Sequence, residues 1–186
     1  MAIIFLIGPG GVGKTTVGKI LAEQIGAQFI DLDQEFCLRI ANIREFIKAQ
    51  GYEVYLEKNA ALLALLHGEV RGTHTVLALS SGFLSTDIRP DIVRQNRQQV
   101  HEWGLSVLLM PSRNIEEACR YVVERQLKRG FGLSRDKESY KFCQRFGEYS
   151  QLGDVQIFSM ASPEVIASLI SDTLQHRVSL SPDACG

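Results

Sequence analysis

The sequence predicts an α/β protein of three layers, in which a central parallel sheet of about five strands carries helices on both faces. Short apolar runs alternate with longer helical patterns along the whole chain, and this alternation favours crossover connections between parallel strands. A glycine-rich segment, residues 8–15, separates the first strand from the first helix. That strand–loop–helix order is the context in which such a segment binds phosphate.

Five apolar runs are expected to form the strands, and they cover residues 3–7, 28–31, 75–79, 105–110 and 155–158. Val17, Leu21 and Ile25 recur every four residues, which places a helix directly after the glycine-rich segment. The later helical patterns cover about 34–50, 51–67, 90–103, 114–127 and 136–149, and a closing helix begins at Pro163. Asn114 and Glu117 have the spacing of a capping box, and proline suits the first position of a helix.

The length and composition describe one globular domain of 186 residues, with 45% apolar residues and 22% charged residues. We expect a single domain over residues 1–177, a mobile lid at about 128–136 and a flexible tail over 178–186. The formal charge of −1 gives no electrostatic reason to expect nucleic acid or a membrane as partner. No apolar run approaches the roughly 20 residues that span a bilayer, and the spacing of the cysteines, described next, leads us to expect a cytoplasmic protein. A monomer or weak dimer is expected.

The four cysteines, Cys37, Cys119, Cys143 and Cys185, are widely spaced and form no C-x-x-C pair. Such spacing favours a protein whose thiols stay reduced, as in the cytosol. Cys119 and Cys143 occupy apolar positions of helical patterns, so we expect them to fill the core.

Residues 8–15 match the pattern G-x-x-x-x-G-K-[ST], which predicts a site for a nucleoside triphosphate. Glycines let backbone N–H groups converge on a phosphate, and the start of the next helix adds partial positive charge. Lys14 is expected to bridge the β- and γ-phosphates, and the Thr15 hydroxyl is expected to coordinate Mg²⁺. The predicted nucleotide-binding residues are Gly10, Gly11, Val12, Gly13, Lys14, Thr15 and Thr16.

Asp31 and Asp33 come at the carboxyl end of the second predicted strand, where ligands collect in open α/β sheets. A spacing of two residues places both side chains on one face while the chain stays extended. One carboxylate could hold the Mg²⁺ shell through water, and the other could accept a proton from an attacking hydroxyl. The alternative is that Asp33 caps the helix that follows.

The glycine-rich loop, residues 13–22 and residues 29–33 resemble the shikimate kinase family. The likeness continues more loosely through residues 40–55. It returns at Ser80-Ser81-Gly82, which stands at the position of the family's Gly-Gly-Gly turn. This resemblance implies a P-loop kinase fold with a mobile lid, and an enzyme whose cofactors are ATP and Mg²⁺.

The resemblance also implies a role for each candidate residue. Asp31 would assist Mg²⁺, and Asp33 would contact the phosphoryl-accepting hydroxyl. Arg129 would be the lid arginine that meets the transferring phosphate. Arg145, which precedes a tyrosine much as an arginine does in the family, would pair with the substrate carboxylate through its planar guanidinium. The predicted catalytic residues are Lys14, Asp33 and Arg129, the metal residues are Thr15 and Asp31, and the substrate-binding residues are Asp33, Ser81, Gly82 and Arg145.

The acceptor half of the predicted site departs from the family. Leu56 stands where shikimate kinases usually carry an arginine, and Ser80-Ser81 replaces two glycines. The two serine hydroxyls could reach Mg²⁺ or a different substrate. Arg129 and Arg145 also have structural interpretations, because the first could complement a helix C-terminus and the second could lie on a solvated helix face.

We therefore expect an ATP-dependent kinase that transfers the γ-phosphoryl group to a hydroxyl of a small acid, shikimate or a shikimate-like compound. Two alternatives stay open. A gluconate-kinase-like enzyme would phosphorylate another acceptor, and a shikimate-kinase-like binding protein would sense a metabolite with slow or absent phosphoryl transfer. Leu56 and the two serines are the features that favour the binding protein.

Overall fold

The structure is a computed structural model that describes residues 3–128 and 133–179, except the side chains of residues 178 and 179. Its five strands all pair in parallel, in the order β2-β3-β1-β4-β5, which confirms the predicted fold. The strands are β1 (Ile3–Ile7), β2 (Gln28–Asp31), β3 (Thr75–Ala78), β4 (Gly104–Met110) and β5 (Val155–Phe158).

The helices of the described residues follow the strands in alternation, as the sequence predicts. They are α1 (Lys14–Ile25), α2 (Leu32–Arg39), α3 (Ile43–Gln50), α4 (Tyr52–Glu69), α5 (Pro90–Trp103), α6 (Ile115–Lys128), α7 (Arg135–Tyr149) and α8 (Pro163–Ser179). Within residues 3–128 and 133–179, no helix combines the length and the apolar character that crossing a membrane requires.

β1 and β3 form the buried centre of the sheet. Phe5 and Leu6 of β1 and Val76 and Leu77 of β3 are fully buried. Because consecutive side chains of a strand point to opposite faces, burial of neighbouring residues means that both faces of the sheet are covered by helices, as parallel sheets require.

The strand register brings three connecting segments together at one edge of the sheet. Leu6 of β1 pairs with Ala78 of β3, and Ala78 pairs with Asp31 of β2. The loop after β1, the end of β2 and the turn after β3 therefore lie side by side, although they are about 25 to 70 residues apart in sequence. This edge is where ligands bind in open parallel sheets.

The predicted helix over residues 34–50 is wrong in two respects. It starts earlier, at Leu32, because the Asp31 side chain accepts hydrogen bonds from the N–H groups of Asp33 and Gln34 and caps the helix. It also breaks into α2 and α3, since Asn42 caps a new helix by accepting from two backbone N–H groups. Such asparagine and aspartate caps define helix starts.

The expectation that Cys119 and Cys143 both fill the core is wrong for Cys143, which is exposed, while Cys119 is partly buried. α7 buries Phe142 and Tyr149, and the residue after Phe142 is rotated by about 100° around the helix. The two Sγ atoms nevertheless lie 3.9 Å apart, between α6 and α7.

Asn114 caps α6 as predicted, but the reciprocal half of the capping box differs. The side-chain oxygen Oδ1 of Asn114 accepts from the backbone N–H groups of Glu116 and Glu117, both at 3.0 Å. Glu117 instead accepts from the Ser112 hydroxyl at 2.5 Å, and that hydroxyl oxygen accepts from the Asn114 N–H at 3.1 Å. A serine therefore relays the bond that a capping box would make directly.

The single domain over residues 1–177, the lid at about 128–136 and the tail over 178–186 stay predictions. Arg129 and the rest of residues 129–132, and residues 180–186, lie outside the described residues.

Gly18 of α1 provides a test of how closely this helix packs on the sheet. A Cβ there would run into the Phe29 ring of β2 and would lie 3.0 Å from Leu6 Cδ1. We expect Gly18→Ala to lower the free energy of unfolding by about 1–3 kcal/mol through overpacking. Gly68→Ala is the matched control, because nothing lies within 4 Å of that position in α4. It should raise the stability by up to about 1 kcal/mol through helix propensity.

Urea unfolding of both variants beside the wild type measures the two changes. If Gly18→Ala is as stable as the wild type, the close approach of α1 to β1 and β2 is contradicted.

Candidate active site

The loop after β1 holds its backbone in conformations that favour glycine. Gly8, Gly11 and Gly13 have φ angles of 139°, 85° and 101°. A Cβ at Gly11 would lie 2.9 Å from both Gln126 Cγ and Val122 Cγ1, so α6 closes over the loop as tightly as a glycine permits. This backbone shape is the one in which successive N–H groups form an anion-binding concavity.

The start of α1 lies behind this loop without a capping side chain. Gly13 occupies the N-cap position, and no side chain there accepts from the first N–H groups of the helix. Helix N-termini leave such donors for an anion and add partial positive charge. The Lys14 side chain extends back over the loop, and its Nζ donates to the backbone carbonyl oxygens of Gly8 at 2.7 Å and Pro9 at 2.9 Å.

Asp31 links the loop helix to β2. Its Oδ2 accepts from the Thr15 hydroxyl at 2.6 Å, while its Oδ1 caps α2. The carboxylate is about nine-tenths buried, with 9% of its residue surface exposed. A hydroxyl and a carboxylate oxygen in contact are the hard ligands that Mg²⁺ takes beside water and phosphate.

Asp33 lies two residues further, in the first turn of α2. Because the helix begins at Leu32, the expectation that the chain stays extended between the two aspartates is wrong. The alternative role of Asp33 as helix cap is also wrong, since Asp31 is the cap. Asp33 instead faces solvent through an open cavity, and its Oδ1 accepts from the Ser80 hydroxyl at 2.5 Å.

The surroundings of Asp33 raise the pKa of its carboxyl above the ordinary value. The largest cause is the protein that surrounds the group and removes much of its water, and the charge of Asp31 adds to it. Hydrogen bonds from Ser80 and Tyr55 and the charge of Lys14 act in the opposite direction. Partial loss of solvation and the charge of Asp31 together outweigh these opposing effects, although Asp33 keeps an exposed surface toward the cavity.

Two adjoining cavities meet at Asp33. The smaller, about 200 Å³, is lined by the glycine loop, Thr15, Thr16 and Asp31. The larger, about 510 Å³, is lined by residues of α3, α4, α7 and the turn after β3. Gly10, Asp33, Ser81 and Gln126 line both cavities.

Helix α7 fixes the turn after β3 from the opposite side. Arg145 donates from Nη1 to the Ser81 hydroxyl at 3.1 Å, and the buried Tyr149 hydroxyl donates to the Ser81 carbonyl oxygen at 3.0 Å. A Cβ at Gly82 would collide with the Tyr52 hydroxyl and lie 3.2 Å from Arg145 Nη2. The turn, Arg145 and Tyr52 thus form one packed wall of the larger cavity.

Leu56 does not belong to that wall. It is buried in the hydrophobic core with 1% of its surface exposed, whereas Tyr52 and Tyr55 of the same helix line the larger cavity. Leu56 stands where the family usually carries an arginine, and in this chain its side chain faces the core instead of the cavity.

Among the described residues, the structure brings most predicted positions together. The members that line the two cavities are Gly10, Gly11, Gly13, Lys14, Thr15, Thr16, Asp31, Asp33, Ser81, Gly82 and Arg145. Val12 is 6% exposed, so its side chain packs in the core and only its backbone is placed to serve the loop. Arg129 lies outside the described residues.

Sequence reasoning missed Gln126 and the two tyrosines, Tyr52 and Tyr55, that line the larger cavity. The Arg125 guanidinium lies beside Gly13, where a Cβ would be 3.6 Å from Nη2, and also contacts the Tyr121 ring. The spacing of Tyr52 and Tyr55 on one helical face was the signal available for the wall. Gln126 has no local signal, because only the packing of α6 on the loop brings it to the site.

The residues present fit ATP with Mg²⁺. The uncapped helix start and the glycine backbone suit a polyphosphate, and the Thr15–Asp31 pair offers oxygen ligands. In the part of the chain that the structure describes, no group of three or more histidine, cysteine, aspartate or glutamate residues could hold a metal.

A parallel sheet of this order, with a glycine loop after its first strand and a second cavity beside it, defines a P-loop kinase. A family model for shikimate kinase matches residues 10–175. The chain therefore belongs to the shikimate kinase family, which confirms the resemblance.

Individual relatives agree with the family match. The chain is 32% identical over 114 residues to a shikimate kinase of Psychrobacter sp. (strain PRwf-1), covering 61% of this chain and 58% of that protein. It is 28% identical over 189 residues to shikimate kinase 1 of Yersinia pestis (strain Pestoides F), covering 92% and 95%. A pentafunctional AROM polypeptide of Komagataella phaffii is 26% identical over 154 residues, and these cover 79% of this chain and 10% of that much longer protein.

Among solved structures, shikimate kinase from Acinetobacter baumannii in complex with shikimate superposes with a TM-score of 0.76. The match covers 97% of this chain and 96% of that one, at 22% sequence identity. At that identity the likeness concerns the fold, and it confirms the P-loop kinase architecture.

The double role of Asp31 can be separated by substitution. Asp31→Ala removes the cap of α2 and the partner of Thr15, so we expect the free energy of unfolding to fall by about 1–2 kcal/mol. Asp31→Asn keeps an oxygen that can cap the helix, and asparagine is as good a cap as aspartate. In urea unfolding without nucleotide, the fall in the free energy of unfolding for Asp31→Asn should be at most half of that for Asp31→Ala. Equal losses in the two variants would argue against the capping role.

Proposed function

We propose that this chain transfers the γ-phosphoryl group of ATP to a hydroxyl of shikimate or a closely related small hydroxy acid. The observation that carries the proposal is the position of Asp33, which borders both the cavity of the glycine loop and the cavity that contains Arg145. A carboxylate at that junction can meet an acceptor hydroxyl on one side while a polyphosphate lies on the other.

The smaller cavity is the proposed nucleotide site. Backbone N–H groups of the glycine loop and of the first turn of α1 bind phosphate oxygens, and Lys14 adds positive charge next to them. Thr15 and Asp31 would hold the metal ion, since their hydroxyl and carboxylate oxygens lie together beside the loop. Bound ATP with Mg²⁺ supplies the phosphoryl group that is transferred.

The larger cavity is the proposed acceptor site. Arg145 donates to Ser81 from one nitrogen, and guanidinium has five N–H donors in a planar fork. The remaining donors suit the carboxylate of a hydroxy acid. Ser81 and Gly82 border the ring or chain of the acceptor, and Tyr52 packs beside them.

Asp33 orients the acceptor hydroxyl and accepts its proton. Partial loss of solvation raises the pKa of this carboxyl toward neutral pH. A carboxylate with a raised pKa is a more effective general base. Positioning and electrostatic stabilisation carry most of the catalysis in phosphoryl transfer. We assign Arg129 to the transferring phosphate, a role that follows from the family resemblance alone.

A second candidate is a binding protein of the same fold with weak turnover. It is favoured by the polar turn Ser80-Ser81, whose side chains engage Asp33 and Arg145. A gluconate-kinase-like enzyme would also be compatible with one acid-binding arginine. Turnover measurements with shikimate and gluconate decide among the three. Cytoplasmic location and a monomeric or weakly dimeric state stay predictions.

Release of ADP in the presence of ATP, Mg²⁺ and each acid tests the proposal directly. We expect turnover with shikimate, and absence of turnover with every acid would favour the binding protein. Lys14→Ala should abolish activity and the rise in melting temperature that nucleotide causes, because binding to the native state stabilises it. Lys19→Ala is the matched control on the exposed side of the same helix and should behave as wild type.

Gly82→Ala tests the acceptor cavity separately. The added methyl meets the Tyr52 hydroxyl and Arg145, so we expect KM for the acid to rise at least about tenfold through overpacking. The nucleotide-induced rise in melting temperature should be unchanged. Gly147→Ala, which adds a methyl to α7 where nothing lies within 4 Å, should change neither value. A normal KM in Gly82→Ala would place the acid elsewhere.

A further inference from the structure

Four side chains from three elements form a hydrogen-bonded network around one oxygen of Asp33. Ser80, in the turn after β3, donates to Asp33 Oδ1 at 2.5 Å, and Tyr55 of α4 makes a longer bond of 3.5 Å to the same oxygen. Asn59, one turn along α4, donates from Nδ2 to the Ser80 hydroxyl at 3.0 Å and to the Tyr55 hydroxyl at 3.3 Å.

The direction of these bonds follows from the chemistry of the groups. A hydroxyl has one proton to donate, and a carboxamide nitrogen has two. When Asn59 gives one proton to each hydroxyl, both hydroxyl protons are left for Asp33. The amide thereby orients two hydroxyls toward a single carboxylate oxygen, and the second oxygen, Oδ2, can meet a ligand in the cavities.

Asn59 is costly as a purely structural residue. It is 1% exposed on the core side of α4, and its Oδ1 has no hydrogen-bond partner among the described residues. An unsatisfied buried carbonyl destabilises the folded state, and such a group in a native protein calls for a functional explanation. An apolar residue of the same volume would pack there without that cost.

We propose that Ser80 and Asn59 are positioning residues that hold the Asp33 carboxylate in the orientation needed to receive the acceptor hydroxyl. This inference rests on the proposed kinase function and extends it to two residues that lie behind Asp33. Ser80 is 3% exposed, so it acts through Asp33. Together they form the Ser80–Asn59 pair, which fixes the rotamer of the carboxylate before the substrate arrives.

The distinguishing feature of a positioning role is a loss of kcat without a matching loss of stability. Ser80→Ala removes one oxygen atom, and we expect kcat to fall about tenfold, since small displacements of a reacting group are costly. KM for ATP and the nucleotide-induced rise in melting temperature should change less than twofold. Asn59→Leu removes both donors and the unsatisfied carbonyl, so kcat should fall to a similar extent while the urea midpoint stays level or rises.

The double variant tests whether the two residues act as one unit. If Asn59 works through Ser80, the combined loss of kcat should be close to that of the larger single loss, and independent roles would multiply the losses. Ser106→Ala is the matched control, because Ser106 donates to Asp154 at 2.6 Å in a similar serine–aspartate pair near the start of β4, at the opposite end of the parallel strands from the site. It should lose stability and keep kcat.

The outcomes separate this inference from the proposed function. Wild-type turnover with unchanged kcat in Ser80→Ala overturns the pair and leaves the kinase standing. A fall of kcat that only accompanies a fall in the urea midpoint, as a structural role predicts, also overturns it. Absence of turnover in the wild type overturns both. Ser80→Ala alone decides the matter if Asn59→Leu fails to fold.

Discussion

Parallel pairing of β1 with β3 and of β3 with β2 is the constraint on which the site depends. It places the loop after β1, Asp31 and the turn of residues 80–82 at one edge of the sheet. Each segment contributes a different kind of group: backbone N–H groups from the loop, side-chain carboxylates from the end of β2 and the start of α2, and side-chain hydroxyls from the turn. A shift of register by one residue would reverse the faces of the side chains and separate these groups.

The two halves of the site are stabilised in different ways. The nucleotide half depends on local geometry, since glycine backbone and a helix start within eight residues supply the donors. The acceptor half depends on contacts between elements far apart in sequence, such as Arg145 with Ser81 and Asn59 with Ser80. The surroundings of Asp33 also raise the pKa of its carboxyl, through partial loss of solvation and the charge of Asp31.

The same difference decides what could be predicted from the sequence. Strands, the glycine loop and the cap at Asn114 have local patterns, and they were predicted within one or two residues. Residues 40–42, where one expected helix becomes two, had no glycine or proline to mark the break. The sequence of α4 indicates an ordinary core helix. Packing sets the rotation of this helix, which places Tyr55 and Asn59 near Asp33 and Leu56 in the core. Gln126 likewise reaches the loop only through tertiary structure.

The charges of the larger cavity narrow the class of acceptor. Its described lining carries three carboxylates, Asp33, Asp87 and Glu138, and two cations, Lys141 and Arg145. A phosphorylated acceptor such as a nucleoside monophosphate would bring about two negative charges into a wall that already has an excess of carboxylates, and this repulsion is strongest where water is scarce. A monocarboxylate needs only one guanidinium, and Arg145 of α7 provides it in this cavity. The charges of the described lining therefore support the proposed acceptor, a small acid with a single charge that Arg145 can bind.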